Sequence, residues 1–293
     1  MTPDSPGTWL DDVLAWFDHS ARDLPWRGET RDPWAVLVSE VMLQQTPVDR
    51  VRPVFDAWVT RWPTAAALAV DPPGEAVRMW GRLGYPRRAL RLHATAVAVV
   101  GRFGGVLPDT YDGLVSLPGV GDYTASAVLA FAHRRRIPVL DTNVRRVLAR
   151  VTTGSQLPTT SAPTKAERAA AEELLPVEPE AAAHVSEALM ELGALLCRSR
   201  RPSCSECPVQ DSCVWRALGS PTSAVSRRVQ PKFEGSDRQA RGAILAVLRE
   251  ADGRVPQSQI DGIWPDAVQL QRARDSLAAD GLLVFIDGDL TLP

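Results

Sequence analysis

Leu117-Pro118-Gly119-Val120-Gly121 runs directly into Asp122-Tyr123-Thr124, so a glycine turn stands immediately before a helix start. Two glycines two positions apart let the backbone turn tightly and come close to a ligand. The helix beginning at Asp122 presents unpaired N–H groups and the positive end of its dipole at the same place. A hairpin of this kind between two helices can grip a nucleic-acid phosphate without reading bases. Pro-Gly-x-Gly alone describes many ordinary turns. Its weight comes from the adjoining Tyr123 and Thr124, and from Asp141-Thr142-Asn143 at the start of another helix about 20 residues downstream.

Around this turn the chain reads as helical almost to its end. Apolar residues recur at helical spacing in Trp9, Leu10, Val13, Leu14, Trp16 and Phe17, and again in Leu90, Ala94, Val97 and Ala98. Helices are expected near 8–18, 33–45, 48–60, 64–70, 75–81, 87–103, 122–133, 142–151, 164–175 and 179–196. From Gly219 to Asp237 the apolar period disappears among Gly, Ser, Pro and Thr, which reads as a linker. Helices near 238–251, 256–263 and 266–280 follow, and then the apolar runs 282–286 and 289–292, joined by Asp287-Gly288. Asp-Gly between two apolar runs signals a hairpin. Three short helices and a hairpin make a small winged-helix-like domain, a module that binds DNA or docks proteins equally often.

With 293 residues, 45% of them hydrophobic and 23% charged, the chain can bury a sizeable core and is expected to hold about two domains. No run approaches the roughly 18 apolar residues of a membrane helix, and Met1–Pro6 lacks the basic-then-apolar order of a secretion signal. The expectation is a soluble protein of the cytoplasm, in a bacterium the nucleoid, with no membrane partner. Collagen, coiled coil and wholesale disorder do not fit the composition. No repeat or heptad signals an oligomer, so a monomer is expected. The net charge of −2 conceals strong segregation: residues 78–150 carry 12 Arg against 4 acids, while residues 1–77 carry 6 Arg against 12 acids. A basic middle third suggests a phosphate-binding face. The competing reading is a solvated arginine surface, in a chain whose only lysines are Lys165 and Lys232.

All four cysteines, Cys197, Cys204, Cys207 and Cys213, fall within 17 residues at spacing C-x6-C-x2-C-x5-C. Disulfides staple distant segments of secreted proteins, whereas four thiols in one short loop converge on a metal or an iron-sulfur cluster. Zinc competes, because four thiolates also make a tetrahedral zinc site. Zinc sites usually present two C-x2-C knuckles and this loop has one, so a 4Fe-4S cluster suits the spacing better.

Leu24-Pro-Trp-Arg27, Ser39-Glu-Val-Met-Leu-Gln-Gln-Thr46, Leu83-Gly-Tyr85, Leu117-Pro-Gly-Val-Gly121, Leu140-Asp-Thr-Asn-Val144 and the cysteine loop, taken in this order, resemble adenine DNA glycosylases of the MutY type. These belong to the helix-hairpin-helix glycosylases, which also include endonuclease III. The resemblance covers roughly residues 8–217 and implies a mainly α, two-lobed catalytic core with an iron-sulfur loop. One lobe would comprise 1–31 and 138–217, with the 4Fe-4S cluster; the other, 32–137, would hold six helices and the hairpin. A linker at 218–237 and the winged-helix-like domain at 238–293 complete the expected organisation. The implied reaction, on double-stranded DNA, is hydrolysis of the N-glycosidic bond of adenine mispaired with 8-oxoguanine or guanine.

The chemistry asks for two carboxyl groups with opposite duties. Adenine is a poor leaving group unless its ring is protonated, and its departure leaves an oxocarbenium-like sugar. One carboxyl must therefore be neutral and donate; the other must stay charged. Glu40, among Val38, Val41, Met42 and Leu43, suits the donor, because burial raises a carboxyl pKa. Asp141 suits the anion, since it sits at a helix start where N–H groups and the dipole favour negative charge. The resemblance implies that Glu40 protonates adenine, that Asp141 stabilises the sugar cation, directly or through a transient covalent bond, and that Asn143 and Tyr123 position water, acid and sugar. Tyr123 stands where bifunctional relatives carry a Schiff-base lysine, which implies base release without strand cleavage. By the same resemblance Arg22, Leu24, Trp26 and Arg27 line the pocket for the extruded base, Gln45 enters the stack near the partner base, and Tyr85 is counted among the substrate-binding residues. Leu117, Gly119, Val120 and Gly121 hold the DNA phosphate.

Three features depart from the family pattern. Pro86 replaces a second tyrosine, Thr142 replaces a common glycine, and the roughly 70 residues after the core are too few for the usual lesion-reading domain similar to Nudix hydrolases. Two other readings compete: a thymine or uracil mismatch glycosylase, which could share the hairpin, Tyr123 and Asp141, and a nonenzymatic iron-sulfur DNA-binding regulator.

Overall fold

A computed structural model describes residues 7–28, 31–222 and 232–293. In chain order it contains α1 (Gly7–Ser20), a 3-10 turn (Pro25–Arg27), α2 (Pro33–Leu43), α3 (Val48–Arg61), α4 (Ala65–Ala69), α5 (Pro73–Trp80), α6 (Arg87–Phe103), α7 (Tyr111–Val115) and α8 (Asp122–Phe131). There follow α9 (Thr142–Thr153), α10 (Lys165–Leu174), α11 (Pro179–Leu195), a second 3-10 turn (Cys204–Glu206), α12 (Val214–Ala217), α13 (Asp237–Glu250), α14 (Gln257–Ile260), α15 (Ala267–Ala279), β1 (Val284–Ile286) and β2 (Asp289–Thr291). The mainly helical fold is the expected one. The hairpin forms as well: β1 pairs antiparallel with β2, Ile286 lies opposite Asp289, and Asp287 and Gly288 take the positive φ values of 54° and 90° that a tight hairpin turn requires. Helices α7 and α12 and both 3-10 turns are additions to the sequence reading, and α14 is a single turn where eight residues are expected. No helix among the described residues is long and apolar enough to cross a membrane. Of the expected linker, residues 223–231 lie outside the described residues.

The chain folds as two compact units, Met1–Arg31 with Gly121–Arg227, and Asp32–Val120 with Arg228–Pro293. These bounds differ from the expected ones in two respects. The first unit reaches back to Gly121, because α8 is buried from Thr124 to Phe131 and packs against α11. The C-terminal segment, expected as a separate domain, shares the second unit with α2–α7. There the Gly74 N–H donates to the Pro293 carbonyl at 2.6 Å, and Arg78 Nη1 donates to the carbonyls of Arg249 and, at 2.9 Å, Ala251. A β-carbon at Gly74 would lie 2.9 Å from that of Leu292, so glycine is what admits the tail.

In the first unit, Val13 and Phe17 of α1, Val147 and Val151 of α9, and Ala188 and Leu192 of α11 meet in one core, with three of the cysteines packed against it. Gly193 lets α9 and α11 approach: a β-carbon there would sit 2.6 Å from that of Asn143. In the second unit, α6 buries the face bearing Leu92, Ala96 and Val99 and packs on α4 and α5. Beside them Trp58 stands edge-on to Trp62 and Trp80, with ring centroids 4.7 and 5.8 Å away, an arrangement that adds quadrupole attraction to burial.

Candidate active site and cysteine centre

Asp141 is the N-cap of α9. Its Oδ1 accepts from the Val144 N–H at 2.6 Å, and its Oδ2 accepts from Asn143 Nδ2 at 2.8 Å. The cap expected from sequence is therefore present, and it brings Asp141 and Asn143 together. Its electrostatic outcome differs from the expectation. Burial pushes the Asp141 carboxyl above its ordinary value, and the bonds from Val144 and Asn143 and the nearby Arg146 cation only oppose that rise. Thr142, the departure from the pattern, is exposed on the first turn of α9. Tyr123, half-buried, stands on the first turn of α8.

Asn143 is held in turn. Arg146 Nη2 donates to its Oδ1 at 2.7 Å and to the Gly193 carbonyl at 2.8 Å, while Arg146 Nε donates to the Cys197 carbonyl at 2.7 Å. One guanidinium thus ties the Asp141–Asn143 pair to the first cysteine of the loop. The segment bearing Arg22, Leu24, Trp26 and Arg27 is anchored by a carboxylate that the sequence reading missed, Glu191. Arg22 Nε and Nη2 donate to it at 2.6 and 2.9 Å, the Arg22 N–H at 3.1 Å, and Arg27 Nη2 at 3.0 Å. The Glu191 side chain is only 1% exposed. Burial pushes its pKa up, but the bonds and positive charges of Arg22 and Arg27 more than offset this and hold it below the usual range. Leu24 and Trp26 are buried, and Arg31 pairs with Glu187.

The four cysteines form no disulfide and line one concavity with Val147, Arg150, Leu192 and Trp215. Burial pushes the Cys207 thiol up to about 11, and Cys197, Cys213 and Cys204 push it the same way. Thiolates forced together repel one another, a cost that a multivalent cationic centre removes. Arg150, 1% exposed, donates from Nη1 to Cys197 Sγ at 3.3 Å and stacks 4.5 Å from the Trp215 ring. Among the described residues no group of three or more His, Cys, Asp or Glu side chains is gathered as a metal site. The four sulfurs do line one shared concavity, a donor set whose chemistry suits a cluster with one thiolate per iron.

Glu40 belongs to the second unit, buried on α2 among Leu37, Val41 and Met42. The same unit presents Gln45 and Tyr85, both exposed and both in the left-handed region, at φ 55° and 49°. Pro86 follows as the N-cap of α6. In the hairpin, Leu117 and Val120 are buried, the Val120 N–H donates to the Leu117 carbonyl at 3.2 Å, and Thr95 Oγ1 donates to the Pro118 carbonyl at 2.5 Å. Gly119 takes φ 77°, and a β-carbon there would lie 2.9 Å from that of Arg91. Gly121 caps α8 from an extended conformation with open space where a side chain would stand, so the first N–H groups of α8 lack a side-chain cap.

The basic middle third is thinner than its charge count. Arg88, Arg145, Arg146 and Arg150 are all buried. Their partners are carbonyls and carboxylates of distant segments, such as Cys197 for Arg146 and Glu167 for Arg145.

Residues 38–176 match the HhH-GPD superfamily of base excision DNA repair proteins. The adenine DNA glycosylase of Mycolicibacterium smegmatis is 48% identical over 276 residues, 93% of this chain and 91% of that protein. That span leaves too few residues outside it to omit the whole of the C-terminal segment. Among solved structures, a thermostable thymine-DNA glycosylase superposes with a TM-score of 0.66 at 27% identity, covering 73% of this chain and 97% of the other. Endonuclease III, in a trapped covalent complex with DNA, gives a TM-score of 0.61 at 21% identity over 72% of this chain and 95% of its own, a likeness of fold.

Proposed function

The chain belongs to the HhH-GPD superfamily of base excision DNA repair proteins, among the adenine DNA glycosylases, and from that footing we propose that it removes adenine from A:8-oxoguanine and A:G mispairs in double-stranded DNA without cutting the strand. The observation that carries this reading is the Asp141–Asn143 pair on the N-terminus of α9, with its own carboxyl pushed up by burial. A carboxylate that is costly to ionise in the free protein gains its best partner when positive charge develops on the deoxyribose. It therefore stabilises the transition state more than the ground state. Glu40 delivers a proton to the adenine ring, the glycosidic bond breaks with its electrons leaving on the base, and water adds to the sugar carbon under the direction of Asn143, giving up a proton that restores the Glu40 carboxyl. Tyr123 orients the sugar. With Lys165 and Lys232 the only lysines, no amine stands near position 123 in the sequence to form a Schiff base, which supports release of a free base and an abasic site.

Arg22, Leu24, Trp26 and Arg27 contribute to the wall of the base pocket, with Arg22 and Arg27 held in register by Glu191. The hairpin of Leu117, Gly119, Val120 and Gly121 holds a phosphate, with Leu117 and Val120 serving to shape the turn, since their own N–H groups donate to the Leu114 and Leu117 carbonyls. Cys197, Cys204, Cys207 and Cys213 hold one 4Fe-4S cluster. When bound, that cluster supplies a covalent staple for the loop and a centre able to exchange electrons. The protein acts as a monomer in the cytoplasm, at the bacterial nucleoid.

The test is release of base from duplexes carrying A opposite 8-oxoguanine, A opposite G, A opposite C, and T opposite G. Release confined to the first two, lost in Glu40→Gln and Asp141→Asn with duplex binding kept, supports the proposal. Release of thymine, or unchanged adenine release in both variants, overturns it.

A further inference from the structure

Arg88 is 6% exposed, and among the described residues no carboxylate pairs with it. Its charge is met instead by oxygen dipoles. Nη1 donates to the carbonyls of Val41, Met42 and Gln44 at 2.9, 3.1 and 2.6 Å; Nη2 donates to Thr46 Oγ1 and the Gly84 carbonyl at 3.0 and 3.1 Å. The rings of Trp80 and Tyr85 lie 5.2 and 5.4 Å from the guanidinium carbon. Trp80 Nε1 donates to the same Gly84 carbonyl at 3.0 Å. A lone helix cap would need only the carbonyls of α2. This arginine also reaches two further turns, and each carries an exposed side chain on left-handed backbone, Gln45 and Tyr85. Such backbone is strained and persists only where the surroundings fix it. One buried fork fixes both.

We infer that Arg88 is a positioning residue for duplex DNA: by strapping the 44–46 and 84–85 turns to the end of α2, it presents Gln45 and Tyr85 as a preformed pair of wedges to the strand opposite the target base. This rests on the glycosylase reading above. Pre-organisation of this kind acts on binding and on local unstacking of the partner strand, because the ordering cost is met before DNA arrives. A lysine at 88 keeps the charge but has no planar fork to span three segments.

The experiment uses the full chain and an A:8-oxoguanine duplex with 2-aminopurine beside the partner base, whose fluorescence rises on unstacking. Wild type is expected to release adenine and to raise the fluorescence at saturation. Arg88→Lys is expected to lose most of that rise and to bind about tenfold more weakly, equivalent to about 1.4 kcal/mol. Thr46→Val, which removes one of the five acceptors, gives a smaller loss in the same direction and stands in should Arg88→Lys fail to fold. Introduced into a Gln45→Ala/Tyr85→Ala background, Arg88→Lys adds no further loss. A full fluorescence rise per bound complex in both Arg88→Lys and Thr46→Val, or complete additivity with the double variant, reduces Arg88 to a stabilising cap and overturns the inference alone. A wild type that neither releases adenine nor unstacks the partner strand overturns it together with the glycosylase reading.

Discussion

Replacing Glu191 by Gln tests the anchoring of the 22–27 segment. The substitution keeps shape but removes the carboxylate charge that Arg22 and Arg27 share. Breaking a buried pair from one side costs about 3–5 kcal/mol and breaking an exposed one about 0–1 kcal/mol. Glu191 lies at the buried extreme, at 1% exposure, whereas Arg22 and Arg27 are 33% and 17% exposed. Solvent therefore relieves part of the unpaired positive charge, and the expected loss is about 2–3 kcal/mol, or roughly 3–5 °C in Tm for a chain of this length. Urea unfolding of the full chain, followed by circular dichroism and tryptophan fluorescence, measures it. The pH dependence gives an internal control. Because the folded pKa of Glu191 is depressed, its contribution is complete above the unfolded carboxylate value of about 4.3 and is lost as pH falls through the lower folded value. The gap between wild type and Glu191→Gln must therefore be full at neutral pH and close on acidification. A neutral-pH gap under about 1 kcal/mol would remove Glu191 from its anchoring role. So would a gap that does not narrow in acid.

Asp141 follows the opposite sign: its folded pKa is raised, so its stabilising contribution is full below the unfolded value of about 3.9 and lost as pH rises through the folded one. The stability of Asp141→Asn relative to wild type should rise over that window, and a flat difference would show that the carboxyl is not strained. Gly193→Ala forces a β-carbon to within 2.6 Å of that of Asn143 and 3.0 Å of its backbone, and overpacking of this kind costs about 1–3 kcal/mol. Single-turnover adenine release should fall with it, and an unchanged rate would free α9 from dependence on α11. Cys207→Ser should lose visible absorbance and iron together, against roughly four irons per wild-type chain by metal analysis for a single 4Fe-4S centre. Zinc in place of iron in the wild type would refute the cluster.

What the sequence made legible was local. Helix bounds follow from apolar spacing, the Asp141 cap from a polar residue before a periodic run, and the hairpin from glycines of which only Gly119 takes positive φ. Helices α7 and α12, of 5 and 4 residues, are too short to display a period. The buried arginines escaped because arginine usually reads as surface; only the fold supplies Arg88 with the carbonyls of Val41, Met42 and Gln44 and brings Cys197 to Arg150. Docking of the tail escaped for a related reason. Its contact at Gly74 is made by main chain to main chain, which no side-chain pattern announces.

Each compact unit is assembled from two stretches separated by about a hundred residues, and α1 finds its mate α11 only across the whole intervening chain: Arg22 and Glu191 are 169 positions apart. On a ribosome adding about 5–20 residues per second, such a helix waits roughly 8–34 s with its apolar face unmatched. A nascent chain of this topology is thus a natural client for holdase chaperones until α11 emerges, and nonsense truncations before α11 leave an orphaned apolar helix for proteolysis to clear.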